Sequence, residues 1–318
     1  MPELPEVETV LRGLSRRALG RKIVSVVVHT PSVIAGPVEQ FMHDVEGRRF
    51  TSLRRKGKAL AAELRAANGA PPTHIIIRLG MTGQVTIVPQ NSPLQAHTHV
   101  RFLFDDGGEE MRFRDPRRFG GIRSCSPEEL ERIFGRMGPD AREISFEQFE
   151  AARRGRTGAI KGWLLNQQML AGLGNIYADE ALFEAHVHPR VVAGRISTAR
   201  SRELLRAIHK VLNRAVKLQG TSFRDYIDIE GAPGNYGVRL RVYQRQGERC
   251  RRCGITLRRI IVCGRSSHFC PKCQPRPRRT AAPGRPRKTK DENRSSEKRR
   301  KRAASIFHLG ARAGGVFP

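Results

Sequence analysis

The stretch Met1-Pro2-Glu3-Leu4-Pro5-Glu6-Val7-Glu8-Thr9-Val10 decides how the rest of the chain is read. Val7, Val10, Leu11 and Leu14 recur at i, i+3, i+4 and i+7, one face of a helix. Pro5 suits the first turn of that helix, and Glu6 and Glu8 suit its positive end. Ahead of the helix stands Pro2. A small second residue normally allows removal of Met1, which leaves Pro2 as a free secondary amine. An α-amino group titrates near ~7.7–8.0, far below the ~10.4 of lysine, so a useful fraction is neutral at pH 7 and able to attack an electrophilic carbon. With a secondary amine the product is an iminium, cationic without an added proton. Glu3 beside it can supply a proton to a departing or ring-opening oxygen. The residues alone leave a blander reading open: many chains begin Met-Pro, and Glu3 could simply favour the start of the helix.

Outward from this helix, residues up to about 126 read as strands. The runs Lys22–His29, Ala59–Arg65, Thr73–Leu79, Gln84–Val88 and His99–Phe104 are β-rich, and Asp105-Asp106-Gly107-Gly108 is a hairpin turn before Met111 and Phe113. Many short strands between turn residues point to a sandwich or barrel. From about Pro127 to Gly220 the period becomes helical. Leu204, Leu205, Ile208, Val211, Leu212, Ala215 and Val216 form one stripe that Gly220 stops, and two further helical segments flank Ala171–Asn175. Residues 221–238 carry turn residues throughout and read as a long loop, in which Tyr226 and Tyr236 could be anchors. The reading is an α+β chain of several parts: a sandwich over 1–126, a helical domain over 127–220, a loop over 221–238, a cysteine module over 239–274 and a disordered basic tail over 275–318.

Charge narrows the partners. The 318 residues hold 59 Lys+Arg against 30 Asp+Glu, a net +29, and the tail supplies only +11 of it. A folded body this basic is drawn to a polyanion, with nucleic acid ahead of an anionic membrane. No stretch approaches the ~20 apolar residues of a membrane span, and the acidic opening is unlike a signal peptide, so a cytoplasmic protein with reduced cysteines is expected. Cys250-x2-Cys253 and Cys270-x2-Cys273, sixteen residues apart, have four-cysteine zinc spacing. Four thiolates close a tetrahedral ion and leave no open position, which predicts one structural zinc; the alternative, two redox pairs, lacks a βαβ setting. Cys125 and Cys263 are expected to be small buried side chains, and His268 to pack or hydrogen-bond rather than coordinate. The arginines around the ligands suit a phosphate backbone, or else a solvated basic face.

The opening MPELPEVETV resembles that of the formamidopyrimidine-DNA glycosylases, which share their fold with the endonuclease VIII group. The likeness continues, in order, through Arg54-Arg55-Lys56-Gly57-Lys58, Arg78-Leu79-Gly80-Met81-Thr82-Gly83, Asp115-Pro116-Arg117-Arg118-Phe119-Gly120, Gly172-Leu173-Gly174-Asn175-Ile176-Tyr177-Ala178-Asp179-Glu180, Thr221–Tyr226, Val242–Arg245 and Gly264–Gln274. The resemblance implies a β-sandwich, a helix–two-turn–helix domain and a zinc finger. It implies excision of oxidised purines from duplex DNA, then β,δ-elimination at the abasic site, by a monomer associated with the nucleoid. Within that reading Pro2 is the nucleophile at sugar C1′, Glu3 the acid, Lys58 the residue assisting β-elimination and Arg265 the residue of the second elimination.

Arg265 makes more physical sense as a bidentate phosphate clamp than as a proton donor. Met81, Arg117 and Phe119 would fill the gap left by the flipped base, with Phe119 as the wedge, although Met81 and Phe119 could equally be core. Asn175 opens a helix after a glycine-rich turn, where a phosphate could sit, or where it could be an ordinary cap. His97 and Arg156 match family positions that touch DNA, and residues 221–238 match the segment covering the flipped base. Two other readings stay open: the same chemistry on oxidised pyrimidines, and a zinc-ribbon DNA binder without catalysis. The Leu4–Thr9 continuation favours purines, and a pure binder has no use for a free Pro2.

Overall fold

The computed structural model describes residues 2–223 and 226–276; the tail expected to be disordered lies outside them but for its first two residues. Helix α1 (Leu4–Arg17) runs where its spacing placed it. Eight strands follow: β1 (Ile23–Val28), β2 (Arg49–Lys56), β3 (Ala59–Arg65), β4 (Thr73–Arg78), β5 (Gln84–Pro89), β6 (Thr98–Phe104), β7 (Glu109–Arg114) and β8 (Gly121–Cys125). They form two antiparallel sheets in the orders β1-β6-β7-β5 and β2-β3-β4-β8. The Asp105–Gly108 turn sets the β6–β7 register, so that Val100 faces Phe113 and Phe102 faces Met111. Inner faces of both sheets share one core, in which Phe50 of β2 meets Phe104 of β6 edge-on with ring centroids 6.3 Å apart. Strand β3 is buried on both faces. Leu60, Ala62 and Leu64 point into the sandwich, whereas Ala59 and Ala61 lie under Leu130 and Phe134 of helix α3 (Pro127–Gly135), which is why its sequence shows no alternation.

Between β1 and β2 lies a helix, α2 (Val38–Val45), in a region read as strands. Val38, Phe41, Met42 and Val45 turn one face of it to the sandwich core at i, i+3, i+4 and i+7, a period only two turns long between strand-like runs. The remaining helices are α4 (Phe146–Arg153), α5 (Ile160–Leu165), α6 (Asn175–Glu184) and α7 (Thr198–Lys217), and the chain closes on the hairpin β9 (Arg258–Val262) and β10 (Arg265–Phe269). Every residue of the α7 stripe is buried, and Gly220, at φ +82°, donates its N–H to the Ala215 carbonyl at 2.8 Å to finish the helix. No helix among the described residues is long and apolar enough to cross a membrane.

Helix α1 belongs to two cores at once. Val7, Val10 and Leu14 close the end of the sandwich, while Leu4 packs among the helices. Charge reinforces the junction. Arg55 of β2 is almost wholly enclosed, with Nε 3.0 Å from Glu8 of α1 and a forked pair of bonds to Asp140 at 2.5 and 3.2 Å. Asp140 also accepts the Gly57 N–H at 2.9 Å, and Arg142 returns to Glu8 at 3.1 Å. Enclosed ions survive only when each is fully paired, so removing one partner strands the others. Arg55→Ala should therefore lower the unfolding free energy by about 3–5 kcal/mol, read from urea denaturation. A loss under about 1 kcal/mol, the value of an exposed pair, would mean that this network does not hold the junction.

Candidate active site

Pro2 and Glu3 are buried where α1 meets α6. The Leu4 N–H donates to the Gly172 carbonyl at 3.1 Å, which seats the N-terminus on the glycine-rich turn. The Glu3 carboxylate then lies across the start of α6. It accepts the N–H groups of Gly174 at 2.7 Å, Ile176 at 2.9 Å and Tyr177 at 3.4 Å. These are amides that a helix leaves without intrahelical partners, at its positive end. These three backbone amides are thus taken by a side chain of the protein itself, while Asn175, which opens the helix, lines the open cleft beside it. Gly172 and Gly174 permit the approach: a Cβ on Gly172 would stand 2.5 Å from Leu4 Cδ1, and one on Gly174 would overlap the Glu3 carboxyl and come within 2.7 Å of Lys58 Nζ. Glu3 and Lys58 are thus brought to one spot from two elements, the N-terminal segment and the β2–β3 turn.

Two titrations follow from this enclosure. Burial holds the half-buried Lys58 amine below the usual lysine range; Glu3 and Glu6 pull it back up and Arg265 adds to the lowering. Glu6, one turn into α1, is fully enclosed and accepts the Tyr177 hydroxyl at 2.5 Å and the backbone N–H groups of Thr221 and Glu3, each at 2.7 Å. Burial, with Glu3 adjacent, pushes its carboxyl up to about 7. Motif reading quoted Glu6 without a task for it. Its position among three segments is a tertiary fact that spacing does not carry.

Met81 and Phe119 are both exposed, Phe119 at 59%, so neither is core. Asp115, fully buried, builds the loop beneath them: it accepts the N–H groups of Gly120 at 2.7 Å and Arg117 at 3.2 Å, and the Thr82 hydroxyl. Arg117 stacks on the Phe119 ring at 4.6 Å. Asp115 was quoted within a motif but given no part; a short acidic side chain before Pro and two arginines gives no hint of whom it ligates.

The four cysteine sulfurs lie within 4.8 Å of one another, with Cys253 and Cys270 3.4 Å apart. Zn–S bonds of about 2.3 Å in a tetrahedron need sulfurs roughly 4 Å apart, so the set fits zinc. Both turns donate N–H groups back to sulfur, Arg252 to Cys250 and Cys273 to Cys270, each at 3.4 Å. The module seats on Phe183 of α6, and Gln274 clamps it by accepting from the Cys270 N–H and donating to the Val187 carbonyl. His268 hydrogen-bonds Asp179 at 3.0 Å and packs on Tyr243, outside the ligand set. Cys125 is buried, but Cys263 is exposed: it occupies the β9–β10 turn at φ +49° before Gly264 at +71°, a two-residue hairpin geometry that puts side chains at the tip. Just beyond that turn Arg265 is exposed, and with Asn175, Tyr243 and Arg259 it lines an open cleft of about 630 Å³.

Two candidates stand apart. His97 is exposed at φ +67°, its carbonyl accepting the Asp115 N–H at 3.1 Å. Arg156 is exposed after α4, its Nε donating to the Ala152 carbonyl at 3.2 Å. Neither is hydrogen-bonded or ion-paired to Pro2, Glu3 or Lys58 among the described residues. Tyr226 and Tyr236 are loop anchors, buried against Glu6's backbone and the Tyr177 ring respectively.

Comparison with known proteins bears on the whole described chain. Residues 1–122 match the formamidopyrimidine-DNA glycosylase N-terminal domain, 137–226 the H2TH domain of the same family, and 247–276 a zinc finger found in FPG and IleRS. A formamidopyrimidine-DNA glycosylase from Solibacter usitatus is 43% identical over 277 residues, 87% of this chain and all of that one. Its counterpart from Acaryochloris marina is 41% identical over 283 residues, covering 86% of this chain and 99% of that one. Among solved structures, Lactococcus lactis Fpg in complex with an abasic-site DNA superposes with a TM-score of 0.80 at 33% identity, covering 86% of this chain and all of that one. An Fpg mutant from the same organism bound to Fapy-dG DNA gives the same values.

The enclosed Glu6 makes stability depend on pH. Its folded-state value lies above its ordinary 4.5, so the folded protein holds a proton that the unfolded chain releases. The stabilisation is complete below about pH 4.5 and is lost as pH rises through about 7. From the shift, the loss is up to about 3 kcal/mol. Subtracting the unfolding free energy of Glu6→Gln from that of the wild type should expose this fall between about pH 5 and 8. A flat difference across that range would contradict it.

Proposed function

The chain belongs to the formamidopyrimidine-DNA glycosylase family, and on that footing we propose that it repairs DNA by excising oxidised purines and then cutting the abasic strand, with Pro2 as nucleophile. The observation that carries the assignment of residues is the burial of Pro2 and Glu3 against the start of α6, with Lys58 at the same spot. A binder without catalysis gives no reason to enclose an acid and an amine beside an N-terminal proline.

The chemistry requires Met1 to be removed. The Pro2 nitrogen then attacks C1′ of a nucleotide turned out of the stack; the bond from C1′ to the base breaks in the same step that opens the sugar ring, and the base leaves with the proton shed by the proline nitrogen. Glu3 delivers a proton to the sugar ring oxygen as the ring opens to the iminium. The iminium acidifies C2′–H. Lys58, whose amine burial holds below the usual range, is suited to take that proton while the 3′-phosphate departs. Arg265, exposed beside Asn175 and Tyr243 in the cleft, grips a flanking phosphate through the second elimination. Phe119 and Met81 occupy the gap in the duplex and Arg117 faces the orphaned base; their exposure on a loop braced by Asp115 suits that task. His97 and Arg156 are assigned backbone contacts. Zinc, held by Cys250, Cys253, Cys270 and Cys273, fixes the hairpin that carries Arg265 and takes no part in bond breaking.

On this reading residues 1–126 hold the chemistry, 127–220 and 239–274 hold the lesion duplex on the side that carries Asn175 and Arg265, and 221–238 covers the extruded base. The protein acts as a monomer in the bacterial cytoplasm, on the nucleoid. Single-turnover cleavage of a duplex with one 8-oxoguanine opposite cytosine tests the division of labour. Glu3→Gln should slow base release by about 10²–10⁴-fold while still cutting a preformed abasic site. Unchanged base release in Glu3→Gln would remove Glu3 from the mechanism.

A further inference from the structure

Helix α7 is amphipathic in an unusual way. Its apolar stripe is buried against α1 and α6, and its opposite face is almost purely cationic. Arg202, Arg206, Lys210, Arg214 and Lys217 are all exposed, spaced by four, four, four and three residues, so they share one arc of the helix. Glu203 is the only acid in the helix. Lys210 is paired with Glu184 and Arg202 stacks on Phe146, but among the described residues no carboxylate is ion-paired with Arg206, Arg214 or Lys217. Like charges at i, i+4 destabilise a helix. The macrodipole compensates only in the last turn, at Arg214 and Lys217. The stripe continues past the helix end, where Arg239, Arg241 and Arg251 join Arg214 and Lys217 around an open depression of about 620 Å³. None of these residues lines the cleft that holds Arg265.

We propose that this face of α7 is a second duplex-binding surface, which takes the phosphate backbone of an undamaged DNA segment while the lesion occupies the cleft. The inference rests on the reading of the protein as a DNA-repair glycosylase. Fifteen residues of helix span about 22 Å, and one strand of a duplex presents a phosphate every ~3.4 Å along its axis, so five cations lie opposite about six phosphates. An anionic membrane fits less well. A helix lying on lipid inserts an apolar face, whereas the apolar face of α7 is spent on the core, and no large apolar side chain of the helix is exposed. Two surfaces on one protein would let it pass from one duplex to another without dissociating fully.

The test uses the full-length protein, so that the basic tail is common to every variant. R206Q/K210Q/R214Q/K217Q removes four exposed charges with little change in helix propensity; R206K/K210R/R214K/K217R keeps them and controls for folding. Affinity for undamaged duplex is measured against salt, and release of a labelled lesion duplex against increasing unlabelled duplex. The glutamine variant should lose about 3–4 units of salt slope and release DNA at a rate independent of competitor. Wild type and the charge-keeping variant should release it faster as competitor rises. Single-turnover excision should be equal in all three. A wild-type slope and competitor response in the glutamine variant would overturn the proposal. So would competitor-independent release by the wild type, which would place both contacts on one duplex. Loss of binding to phosphatidylserine vesicles, with DNA behaviour unchanged, would also overturn it in favour of a membrane. Absence of excision in the wild type would instead refute the glycosylase reading.

Discussion

The carboxylate of Glu3 lies across the first amides of α6, and the arrangement of the site follows from that contact. A helix start offers several N–H groups with no internal partner and a partial positive charge. Here those groups are satisfied by a residue some 170 positions away in sequence, which ties the N-terminal segment to the helical domain. The same contact sets Glu3, the residue after Pro2, beside Lys58 of the β2–β3 turn. Gly172 and Gly174 are the conditions for it, since a side chain at either would push the two segments apart.

Helix α6 extends the principle along its length. Residues Ile176–Phe183 are buried without interruption, charged ones included. Tyr177 donates to Glu6. Asp179 meets Lys161 at 2.6 Å and receives the His268 N–H at 2.8 Å. Glu180 accepts the backbone N–H groups of Arg241, Val242 and Tyr243. Phe183 seats the zinc module. Burying such carboxylates costs desolvation that only complete pairing offsets, and each is completed by a different segment. One ten-residue helix therefore fixes the N-terminal segment, the Arg265 hairpin and the loop before it relative to one another.

The sequence was informative where geometry is local. The Asp105–Gly108 turn gave the β6–β7 register, the α7 stripe was read residue for residue, and the four cysteines converge as their spacing requires. It placed a helical segment after Ala171–Asn175, where α6 lies, but not the enclosure of that helix on all sides. In α6 no polar face exists to set a period, and Asp179 and Glu180 look like solvent-facing residues until their partners are seen. That Glu3 accepts the first amides of α6 is not visible in the spacing, because the two residues lie in different parts of the chain. Cys263 was taken as buried on residue type alone, without the hairpin turn that holds it at the tip. The ordered family motifs pointed to Lys58, Phe119 and Arg265, which composition could not have singled out; Asp115 and Glu6, which brace those motifs from beneath, became visible only in three dimensions.

The central claim is that Pro2 forms the covalent bond to the sugar. Incubating the protein, its mature N-terminus verified, with a duplex containing one 8-oxoguanine opposite cytosine in the presence of borohydride would reduce any iminium to a stable link, and peptide mapping would locate it. The account predicts a single cross-linked peptide, attached through the Pro2 nitrogen. A link at Lys58 or another lysine, or no link while the lesion is still excised, would contradict it.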